Sequence, residues 1–451
     1  MAFALIVLAA GQGTRMNSDL PKVLHPLGAL PLFAHALASG ASLKPEQNVL
    51  VVGHGADAVR NAALKIYPDI LIAEQTEQLG TGHAVAQAAP ALADFQGDAV
   101  VLYGDTPFIK PATLDAMNHA RRSGHGIVIL GFDAAAPGRY GRLVMAGDTL
   151  EKIVEFKDAS DEERAITLCN SGVVMADATV LFDLCNALSN ENASGEYYLT
   201  DIVEIARNRG ISSTVVTCDE AETLGINTRA ELANAETLFQ KKARAEALEN
   251  GVTLHAPETV FFAQDTVLGR DAVIEPNVVF GPGVTVETGA HIRAFSHLEG
   301  CHVGQNAVVG PYARLRPGAE LSNDSKVGNF VEIKNASLGE GSKVNHLSYI
   351  GDASIGAGSN IGAGTVTCNY NGVEKFRTEI GERVFIGSDT MLVAPVTIGD
   401  EAMTASGSVI TKNVPEGALA LGRAEQVTKP NAARRLFEMY KNARDKRRKE
   451  A

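Results

Sequence analysis

The second half of the chain repeats an aliphatic residue at every sixth position, and this repeat constrains the fold more than any other feature. The period slips by one residue after Leu298 and again further along, and glycine often follows the aliphatic residue. Neither an α-helix nor a single β-strand has a period of six. Such a period is typical of a solenoid of stacked coils, in which the aliphatic side chain points inward. The repeating positions are Leu268, Ile274, Phe280, Val286, Ile292, Leu298, Val303, Val309, Leu315, Leu321, Val327, Ile333, Leu338, Val344, Ile350, Ile355, Ile361, Ile380, Ile386, Leu392 and Ile398.

The repeat is broken between Val366 and Ile380 by the segment TCNYNGVEKFRTE. We expect this segment to be a loop that leaves the solenoid, and loops on a rigid scaffold often carry function. The pattern does not determine the hand of the solenoid, because general chirality rules favour right-handed crossovers.

The first 225 or so residues have a different texture, in which short β-branched runs alternate with alanine-rich helical stretches. This alternation predicts a mostly parallel α/β sheet. Ligands of such sheets bind beyond the carboxyl ends of the strands, where Gly11–Arg15 and Tyr103–Asp105 fall. The predicted strands are Ala4–Leu8, Asn48–Val52, Ala99–Tyr103 and Gly126–Leu130.

A helical segment joins these two halves. The stretch from Asn227 to Asn250 has helical composition, contains neither proline nor glycine, and is followed by Gly251, a plausible helix stop. A chain of 451 residues also exceeds the roughly 250–300 residues of one hydrophobic core. We therefore expect an α/β domain over residues 1–227, a linker helix over 228–252, and an all-β domain over 253–451 with a basic helical tail.

Composition excludes several classes of protein. A formal charge of −13 argues against general nucleic-acid binding, which needs a basic surface. The five cysteines show no paired CxxC spacing and are expected to be reduced thiols. No basic leader precedes the first strand, and no apolar run reaches the roughly 18 residues of a membrane helix. We expect a cytoplasmic protein without membrane insertion.

The first candidate site begins directly after the first strand, in the segment LAAGQGTRM. Gly11 and Gly13 allow backbone N–H groups to turn toward a phosphate, and Arg15 and Lys22 can neutralise a leaving pyrophosphate. A GxG turn alone also ends ordinary strands, so the prediction of a phosphate site depends on the positive charges of Arg15 and Lys22.

Two further segments add to this site. Gln75 carries an amide able to pair with a base edge, while Gly80 and Thr81 permit close approach of the backbone, although Gly80–Gly82 is also compatible with a plain turn. Asp105 follows a strand, where its carboxylate can hold Mg²⁺, although a lone aspartate there is often a helix cap.

The motifs YGR, VEFKDA, CNSGV and GINTR then follow in order, and with the segments above they resemble the sugar-nucleotide pyrophosphorylase family. The resemblance is to its uridyltransferases, which act on UTP and N-acetylglucosamine 1-phosphate, and it spans the first domain. It implies that Arg15 and Lys22 stabilise the triphosphate and that Asp105 and Asn227 ligate Mg²⁺. It implies substrate contacts from Leu8, Ala9, Ala10, Gly11, Lys22, Gln75, Gly80, Thr81, Tyr103, Gly104, Asp105, Gly141, Glu155, Asn170 and Asn227, with Gly141, Glu155 and Asn170 holding the sugar.

In the repeat region, the segments GPYARLRPGAEL, GNFVEIKNA and NHLSYIGDASIGAGSNIGAGTVTCNYNG resemble the acetyltransferase half of bacterial bifunctional uridyltransferase/glucosamine-1-phosphate acetyltransferases. This resemblance implies a left-handed β-helix assembled as a homotrimer, with active sites where subunits meet. The fold class expected for the whole chain is thus α/β plus all-β: a Rossmann-like nucleotidyltransferase domain joined by a helix to a left-handed hexapeptide-repeat β-helix.

His346 is the expected general base of acetyl transfer, since imidazole is suited to proton transfer near neutral pH. A lone histidine on a solenoid corner is more often structural, but here the residues around it match the family. The resemblance implies that Arg316 and Lys334 grip the sugar phosphate and that Glu332 or Asn369 orients His346. It also implies sugar contacts from Tyr349, Asn360, Asn369 and Tyr370, and acetyl-CoA contacts from Ala363, Ser388, Ser406 and Arg423.

The leading hypothesis is an enzyme that acetylates glucosamine 1-phosphate with acetyl-CoA and then uridylylates the product, which feeds peptidoglycan and lipopolysaccharide precursors. One alternative is a uridyltransferase whose β-helix is only a trimerising scaffold. Others are a non-catalytic regulator and an ADP-glucose pyrophosphorylase. Asp105, Asn227, Arg15 and Lys22 argue against the regulator, and the residues from His346 to Tyr370 argue against the scaffold and the ADP-glucose enzyme.

Overall fold

A computed structural model describes residues 2–450, which fall into two units. The first unit comprises the residues up to Ala245 together with Phe262–Gln264, and the second comprises Glu246–Phe261 and the residues from Asp265 onward. Among residues 2–450, no helix is both long enough and apolar enough to cross a membrane.

The first unit is built on a nine-stranded sheet. Its strands are β1 (Phe3–Ala9), β2 (Gln47–Val52), β3 (Leu71–Glu74), β4 (Asp98–Tyr103), β5 (Ile127–Asp133), β6 (Arg142–Ala146), β7 (Thr149–Val154), β8 (Leu168–Asp177) and β9 (Ser213–Cys218), with a short hairpin of Pro26–Leu27 and Leu30–Pro31 outside the sheet. The strand order is β9-β5-β8-β4-β1-β2-β3, and β6 pairs with β8 and β7. Strand β8 is antiparallel to both of its neighbours in this order, and the other pairs along it are parallel. The sheet is therefore mostly parallel, as predicted.

Helices cover both faces of this sheet. Alternate residues of β1 point to opposite faces, so Ile6 belongs to one apolar cluster and Leu5 and Val7 to another. Burial on both faces explains why β1 reads as a continuous apolar run. The helices described in the first unit are α1 (Leu32–Gly40), α2 (Ala56–Ile66), α3 (Thr81–Ala86), α4 (Pro111–Arg122), α5 (Asp161–Arg164), α6 (Ala178–Cys185) and α7 (Ile202–Asn208). Helix α8 (Arg229–Glu249) begins in the first unit and ends in the second, and α9 (Ala432–Glu450) belongs to the second unit.

Helix α8 corresponds to the predicted linker helix. Its start is fixed by a reciprocal cap, in which Thr228 Oγ1 accepts from the backbone N–H of Glu231 at 3.2 Å and the Glu231 carboxylate accepts from the N–H of Thr228 at 2.9 Å. The helix ends at Glu249, and Gly251 follows with φ of 83°. The same carboxylate also accepts from the N–H of Asn227 at 2.7 Å, so the cap holds a candidate site residue in place.

The second unit is a parallel β-helix of short strands, confirming the solenoid predicted from the period of six. One sheet has ten strands and the other fourteen, and Glu332–Leu338 and Tyr349–Ile355 each pair with two shorter strands of one neighbouring coil. The ten strands are Thr253–Leu254, Val273–Ile274, His291–Ile292, Val308–Val309, Lys326–Asn329, Lys343–His346, Asn360–Ile361, Phe385–Ile386, Met403–Thr404 and Leu419–Ala420. The fourteen are Val267–Leu268, Val279–Phe280, Thr285–Val286, His297–Leu298, Cys301–Val303, Arg314–Leu315, Ala319–Leu321, Glu332–Leu338, Tyr349–Ile355, Val366–Cys368, Thr378–Ile380, Met391–Val393, Val396–Ile398 and Val409–Ile410.

The aliphatic positions of the repeat line the interior of the coils. From Ile274 to Ile398 every predicted inward residue is buried, as the hexapeptide pattern requires. Leu268 is only partly buried, because its strand lies at the end of the row and has a strand partner on one side only.

The predicted loop is also present, between strands that end at Cys368 and begin again at Thr378. It folds back on itself through an antiparallel bridge of Tyr370 with Lys375, and the N–H of Phe376 donates to the carbonyl of Asn369 at 2.8 Å. The basic tail forms helix α9, as its composition predicted.

We expect the interior of the β-helix to be sensitive to loss of volume. Leu298→Ala removes a fully buried side chain and should lower the free energy of unfolding by about 2–5 kcal/mol. Leu419→Ala deletes the same atoms at a position that is 57% exposed and should cost less than about 1 kcal/mol. Urea unfolding followed by circular dichroism measures both, and equal losses would contradict inward packing of Leu298.

Candidate active sites

Three predicted residues meet at the carboxyl ends of strands in the first unit. The ammonium group of Lys22 donates to the carboxylate of Asp105 and, at 3.0 Å, to Oδ1 of Asn227. Lys22 and Asp105 side chains are only 13% and 18% exposed. Residues separated by more than 200 positions in sequence are thus joined in one polar cluster, which we call the Lys22 cluster.

The backbone before Lys22 is shaped to admit its side chain. Gly13 has a left-handed φ of 64°, and a Cβ atom there would lie 2.5 Å from Cβ of Lys22. Any larger residue would push the lysine away from Asp105, so Gly13 is required by this close approach. A Cβ atom on Gly11 would meet no heavy atom within 4 Å, which leaves the backbone of this residue open to a ligand.

The Lys22 cluster fits a hard divalent cation. Asp105 and Asn227 present oxygen atoms that converge on one cation, the Lys22 ammonium. Mg²⁺ is typically bound by one or two protein oxygens with water and substrate phosphates completing its shell. Among residues 2–450 no cluster of three or more His, Cys, Asp or Glu side chains could hold a metal ion. The donor set therefore suits a metal that arrives with a phosphate ligand.

The other predicted nucleotide contacts lie around the end of β1. Leu8 pairs with Tyr103 across the parallel strands, and the N–H of Gly104 donates to the carbonyl of Leu8 at 2.9 Å. Ala9 and Ala10 are buried. Arg15 lies on a short 3₁₀ helix (Thr14–Met16) with its side chain exposed.

Gln75 and Gly80 are brought together at the start of α3. Nε2 of Gln75 donates to the carbonyl of Gly80 at 3.1 Å and lies 3.0 Å from Nδ1 of His83. Gly80 has φ of 114° and faces the backbone of Tyr197, while Oγ1 of Thr81 accepts from the N–H of Leu199 at 3.1 Å. These contacts fix the orientation of the Gln75 amide.

The three residues expected to hold the sugar also converge. A Cβ atom on Gly141 would lie 3.5 Å from Oε1 of Glu155 and 3.6 Å from Cβ of Asn170, and the N–H of Asn170 donates to the carbonyl of Gly141 at 2.9 Å. The buried guanidinium of Arg142 donates to the carbonyl of Gly138 at 3.0 Å and so fixes the loop that precedes Gly141.

Gly172 belongs to this site but was not singled out in the sequence. It has φ of 90°, and a Cβ there would lie 2.5 Å from the ring of Tyr103. Its N–H donates to Oδ1 of Asn170 at 3.0 Å. The glycine therefore sets the position of two predicted site residues, and the only sequence signal was its place in CNSGV.

Several titratable groups around the residues expected to hold the sugar have raised pKa values. Burial raises the pKa of Glu155, partly offset by a hydrogen bond of 3.3 Å from Thr200. Burial, with the charges of Glu204 and Asp158, raises the pKa of Asp201 to about 6. Burial, with the charges of Glu155 and Asp105, also raises the pKa of the Tyr103 hydroxyl. Burial therefore makes ionisation of all three groups less favourable than in water.

In the second unit, His346 and the residues expected to contact acetyl-CoA lie in one column, with one residue from each successive coil. Asn329 pairs with His346 in the parallel register. Backbone hydrogen bonds join the later coils. The N–H of Gly364 donates to the carbonyl of His346 at 3.2 Å, and the N–H of Asp389 donates to the carbonyl of Ala363 at 2.7 Å. The N–H of Gly407 donates to the carbonyl of Ser388 at 2.7 Å. Arg423 closes the column by donating to the carbonyl of Ser406 at 2.6 Å. The members of this corner column are Asn329, His346, Ala363, Ser388 and Ser406.

His346 is exposed, and its orientation comes from a residue that sequence reasoning did not name. Its Nδ1 lies 2.7 Å from Oδ1 of Asn329. Glu332 and Asn369, the two candidates for this role, make no hydrogen bond to His346 among residues 2–450. Glu332 accepts from the Arg316 guanidinium at 2.7 Å, and the amide of Asn369 donates to Asp352.

Asp352 is a second residue missed in the sequence. Its carboxylate accepts from the amides of Asn335 and Asn369 and lies 3.7 Å from the Lys334 ammonium. Burial opposes ionisation, but these hydrogen bonds and the lysine charge together hold its pKa below the usual range. Asp352 therefore links Lys334 to the base of the loop that carries Tyr370.

The remaining expected sugar contacts are more dispersed. Tyr349 pairs with Glu332 on the neighbouring coil, and Asn360 lies in the ten-stranded sheet beside Lys343. Tyr370 is 59% exposed on the loop, where its hydroxyl donates to the carbonyl of Gly372. Within the described part of this unit, no hydrogen bond joins Tyr370 to His346.

Comparisons with known proteins agree with both halves. Residues 5–171 match the MobA-like NTP transferase domain, and residues 265–300 and 377–412 match the bacterial transferase hexapeptide family of six repeats. A Bifunctional protein GlmU of Cereibacter sphaeroides is 68% identical over 99% of this chain and 98% of its own length. Proteins of the same name are 65% identical in Ruegeria pomeroyi, over the whole of both chains, and 64% identical in a Jannaschia species, over 99% and 98%. The matches support the expected fold class, including its left-handed β-helix.

We expect the stability of the first unit to depend on pH through Asp201. Its raised pKa means that ionisation costs stability, with no cost below about pH 4 and the full cost above about pH 6. Because the side chain is partly exposed, Asp201→Asn should raise the free energy of unfolding by only about 1 kcal/mol at pH 7.5, and by nothing at pH 4. Urea unfolding at both pH values tests this, with exposed Asp69→Asn as the control. An equal gain at both pH values would show that the effect does not come from ionisation.

Proposed function

The chain belongs to the family of bifunctional GlmU proteins, and we propose from this membership and from its two sites that it catalyses two successive reactions. It transfers an acetyl group from acetyl-CoA to glucosamine 1-phosphate. It then transfers the uridylyl group of UTP to the N-acetylglucosamine 1-phosphate formed, releasing pyrophosphate. The observation that carries the proposal is that one chain holds both the Lys22 cluster and the corner column of His346.

In acetyl transfer the amine of glucosamine 1-phosphate attacks the thioester carbonyl of acetyl-CoA. Nε2 of His346 takes the proton that the nitrogen loses, the C–S bond breaks, and coenzyme A leaves as the thiolate. Ala363, Ser388 and Ser406 line the acetyl-CoA site, since they continue the same column, and Arg423 completes the site through its contact with Ser406. Arg316 and Lys334 bind the phosphate of the sugar, and Tyr349, Asn360, Asn369 and Tyr370 contact its ring.

In uridyl transfer a phosphate oxygen of N-acetylglucosamine 1-phosphate attacks the α-phosphorus of UTP, and the bond to pyrophosphate breaks. Such transfers depend on positioning and charge neutralisation rather than on a covalent enzyme intermediate. Arg15 and Lys22 neutralise the triphosphate, the latter from a place already beside Asp105. Glu155, Asn170 and the backbone of Gly141 hold the acetylated sugar.

Mg²⁺ is the proposed cofactor of this second reaction, and when bound it supplies positive charge to the phosphate oxygens. Asp105 and Asn227 would hold it, because their oxygens already converge on a cation. The Lys22 ammonium would then be free to turn toward the phosphates.

The proposal extends to setting and assembly. The product, UDP-N-acetylglucosamine, serves as a precursor of peptidoglycan and lipopolysaccharide, so we place the protein in the cytoplasm. We propose a homotrimer, as the hexapeptide β-helix implies. Light scattering of the purified protein measures the mass directly, and a monomer would overturn this part.

A paired assay tests the whole proposal. Thiol release from acetyl-CoA with glucosamine 1-phosphate reports the first reaction, and pyrophosphate release from UTP with N-acetylglucosamine 1-phosphate and Mg²⁺ reports the second. Both signals are expected. Release of pyrophosphate without release of thiol would indicate that the β-helix is only a scaffold. Release of neither product would favour a non-catalytic regulator.

The two activities should be separable by single substitutions. His346→Ala removes the general base, so we expect acetyl transfer to fall at least about 100-fold with uridyl transfer unchanged. Asp105→Ala removes a metal-binding oxygen and the partner of Lys22, so uridyl transfer should fall at least about 100-fold with acetyl transfer unchanged.

Matched controls are available at exposed positions of the same units. His255 lies on the first coil and Asp69 in the loop after α2, and both side chains are exposed. The variants His255→Ala and Asp69→Ala should each retain acetyl transfer and uridyl transfer. If either site variant lost both activities equally while its circular dichroism spectrum stayed native, the two-site proposal would be overturned.

A further inference from the structure

The side chain of Asn329 is placed to control His346, and it is not among the residues that the family resemblance implies. Oδ1 of Asn329 lies 2.7 Å from Nδ1 of the imidazole. The two residues pair in parallel register on adjacent coils, so each side chain stands next to the other in the corner column. An amide oxygen can only accept a hydrogen bond, and the ring nitrogen facing it must therefore carry the hydrogen.

This hydrogen bond selects one form of the imidazole. A neutral histidine has one protonated and one unprotonated nitrogen, and the partner of one nitrogen decides the state of the other. With the hydrogen on Nδ1, the lone pair is on Nε2, the nitrogen that must accept a proton from the sugar amine. A neutral amide achieves this without adding charge beside the base.

The backbone around the pair is held on both sides, so the contact does not depend on a mobile segment. The N–H of Leu347 donates to the carbonyl of Asn329 at 3.1 Å, and the carbonyl of His346 accepts from Gly364 and from the hydroxyl of Ser348 at 3.2 and 2.8 Å. Gly328 allows the two strands to approach closely, since a Cβ there would lie 1.9 Å from the carbonyl oxygen of Asn345.

The polar groups that could compete for His346 are engaged elsewhere. Glu332 is paired with Arg316 at 2.7 Å, and the amide of Asn369 is bound to Asp352, which also faces Lys334. Asn329 is therefore left as the group that sets the imidazole.

We infer that Asn329 is the positioning residue of acetyl transfer, which fixes the tautomer and ring orientation of His346 so that Nε2 acts as the base. This role rests on the proposed acetyl transfer and adds to it a residue that touches neither substrate. Its effect belongs to the proton-transfer step, so it should appear in kcat and in the pH dependence of kcat, rather than in the KM of either substrate.

Two substitutions at this position separate orientation from charge. Asn329→Ala removes the acceptor, and we expect kcat of acetyl transfer to fall about 10–100-fold at pH 8 with both KM values within about twofold. Asn329→Asp keeps an acceptor for the Nδ1 hydrogen, so it should recover most of kcat at pH 8. Its carboxylate also stabilises the imidazolium, so the acid limb of its pH–rate profile should move upward by about one pH unit. Thiol release measured from pH 5 to 9 gives all three quantities.

A structural role is tested by Asn323→Ala. Oδ1 of Asn323 accepts from the N–H of Gln305 at 2.9 Å, so this variant also deletes an asparagine contact between coils, but away from His346. It should leave kcat and the pH profile of acetyl transfer unchanged. Uridyl transfer should be normal in all three variants, and a wild-type midpoint of urea unfolding in each variant shows that its β-helix is folded.

The outcomes distinguish this inference from the proposed function. Active wild-type protein in which Asn329→Ala keeps its kcat, or in which Asn329→Asp neither restores kcat nor moves the acid limb, would overturn the role of Asn329 alone. Wild-type protein that releases pyrophosphate but never thiol would overturn acetyl transfer itself, and the positioning role with it.

Discussion

The parallel register between successive coils is the constraint on which the second unit depends. Each coil can add to the stack only by pairing its backbone with the coil below, and inward aliphatic residues such as Ile333 and Ile350 then fall into line. The same pairing aligns the outward residues without any contact between their side chains. A column of polar residues at one corner is therefore a direct result of the packing of the core, which is why His346 and Asn329 meet although 17 positions separate them.

The first unit reaches its site by a different physical route. Its sheet brings the ends of β1 and β4 side by side, and the loops that follow must place charged groups in a partly buried space. An isolated carboxylate there would be costly, and the Lys22 ammonium offsets the charge of Asp105. The proposed metal ion would meet the same requirement, because it too would place a cation beside Asp105.

Much of this was predictable from the sequence, and the limits have physical causes. The period of six and the alternation of strands and helices both arise from burial, and each residue in these patterns shows by its polarity whether it is buried. The architecture and nearly all inward positions could therefore be predicted. Leu268 was the exception, because its strand has a strand partner on one side only and the sequence pattern does not report this. Site residues were suggested by motifs, and the structure brings Gly141, Glu155 and Asn170 together while their roles stay predictions.

What the sequence did not reveal are the residues that act through others. Gly172, Asp352 and Asn329 all lie inside motifs that were recognised, yet nothing in their local sequence tells which neighbour each one serves. The family resemblance implied that Glu332 or Asn369 orients His346, but Glu332 pairs with Arg316 and the buried amide of Asn369 donates to Asp352. In a β-helix the residue that positions a given side chain can be found more easily, because residues at the same position of successive coils are always neighbours. In a β-helix the search for a positioning residue should therefore begin with the residue one coil below the catalytic side chain. The motif that contains the catalytic side chain should be searched afterwards.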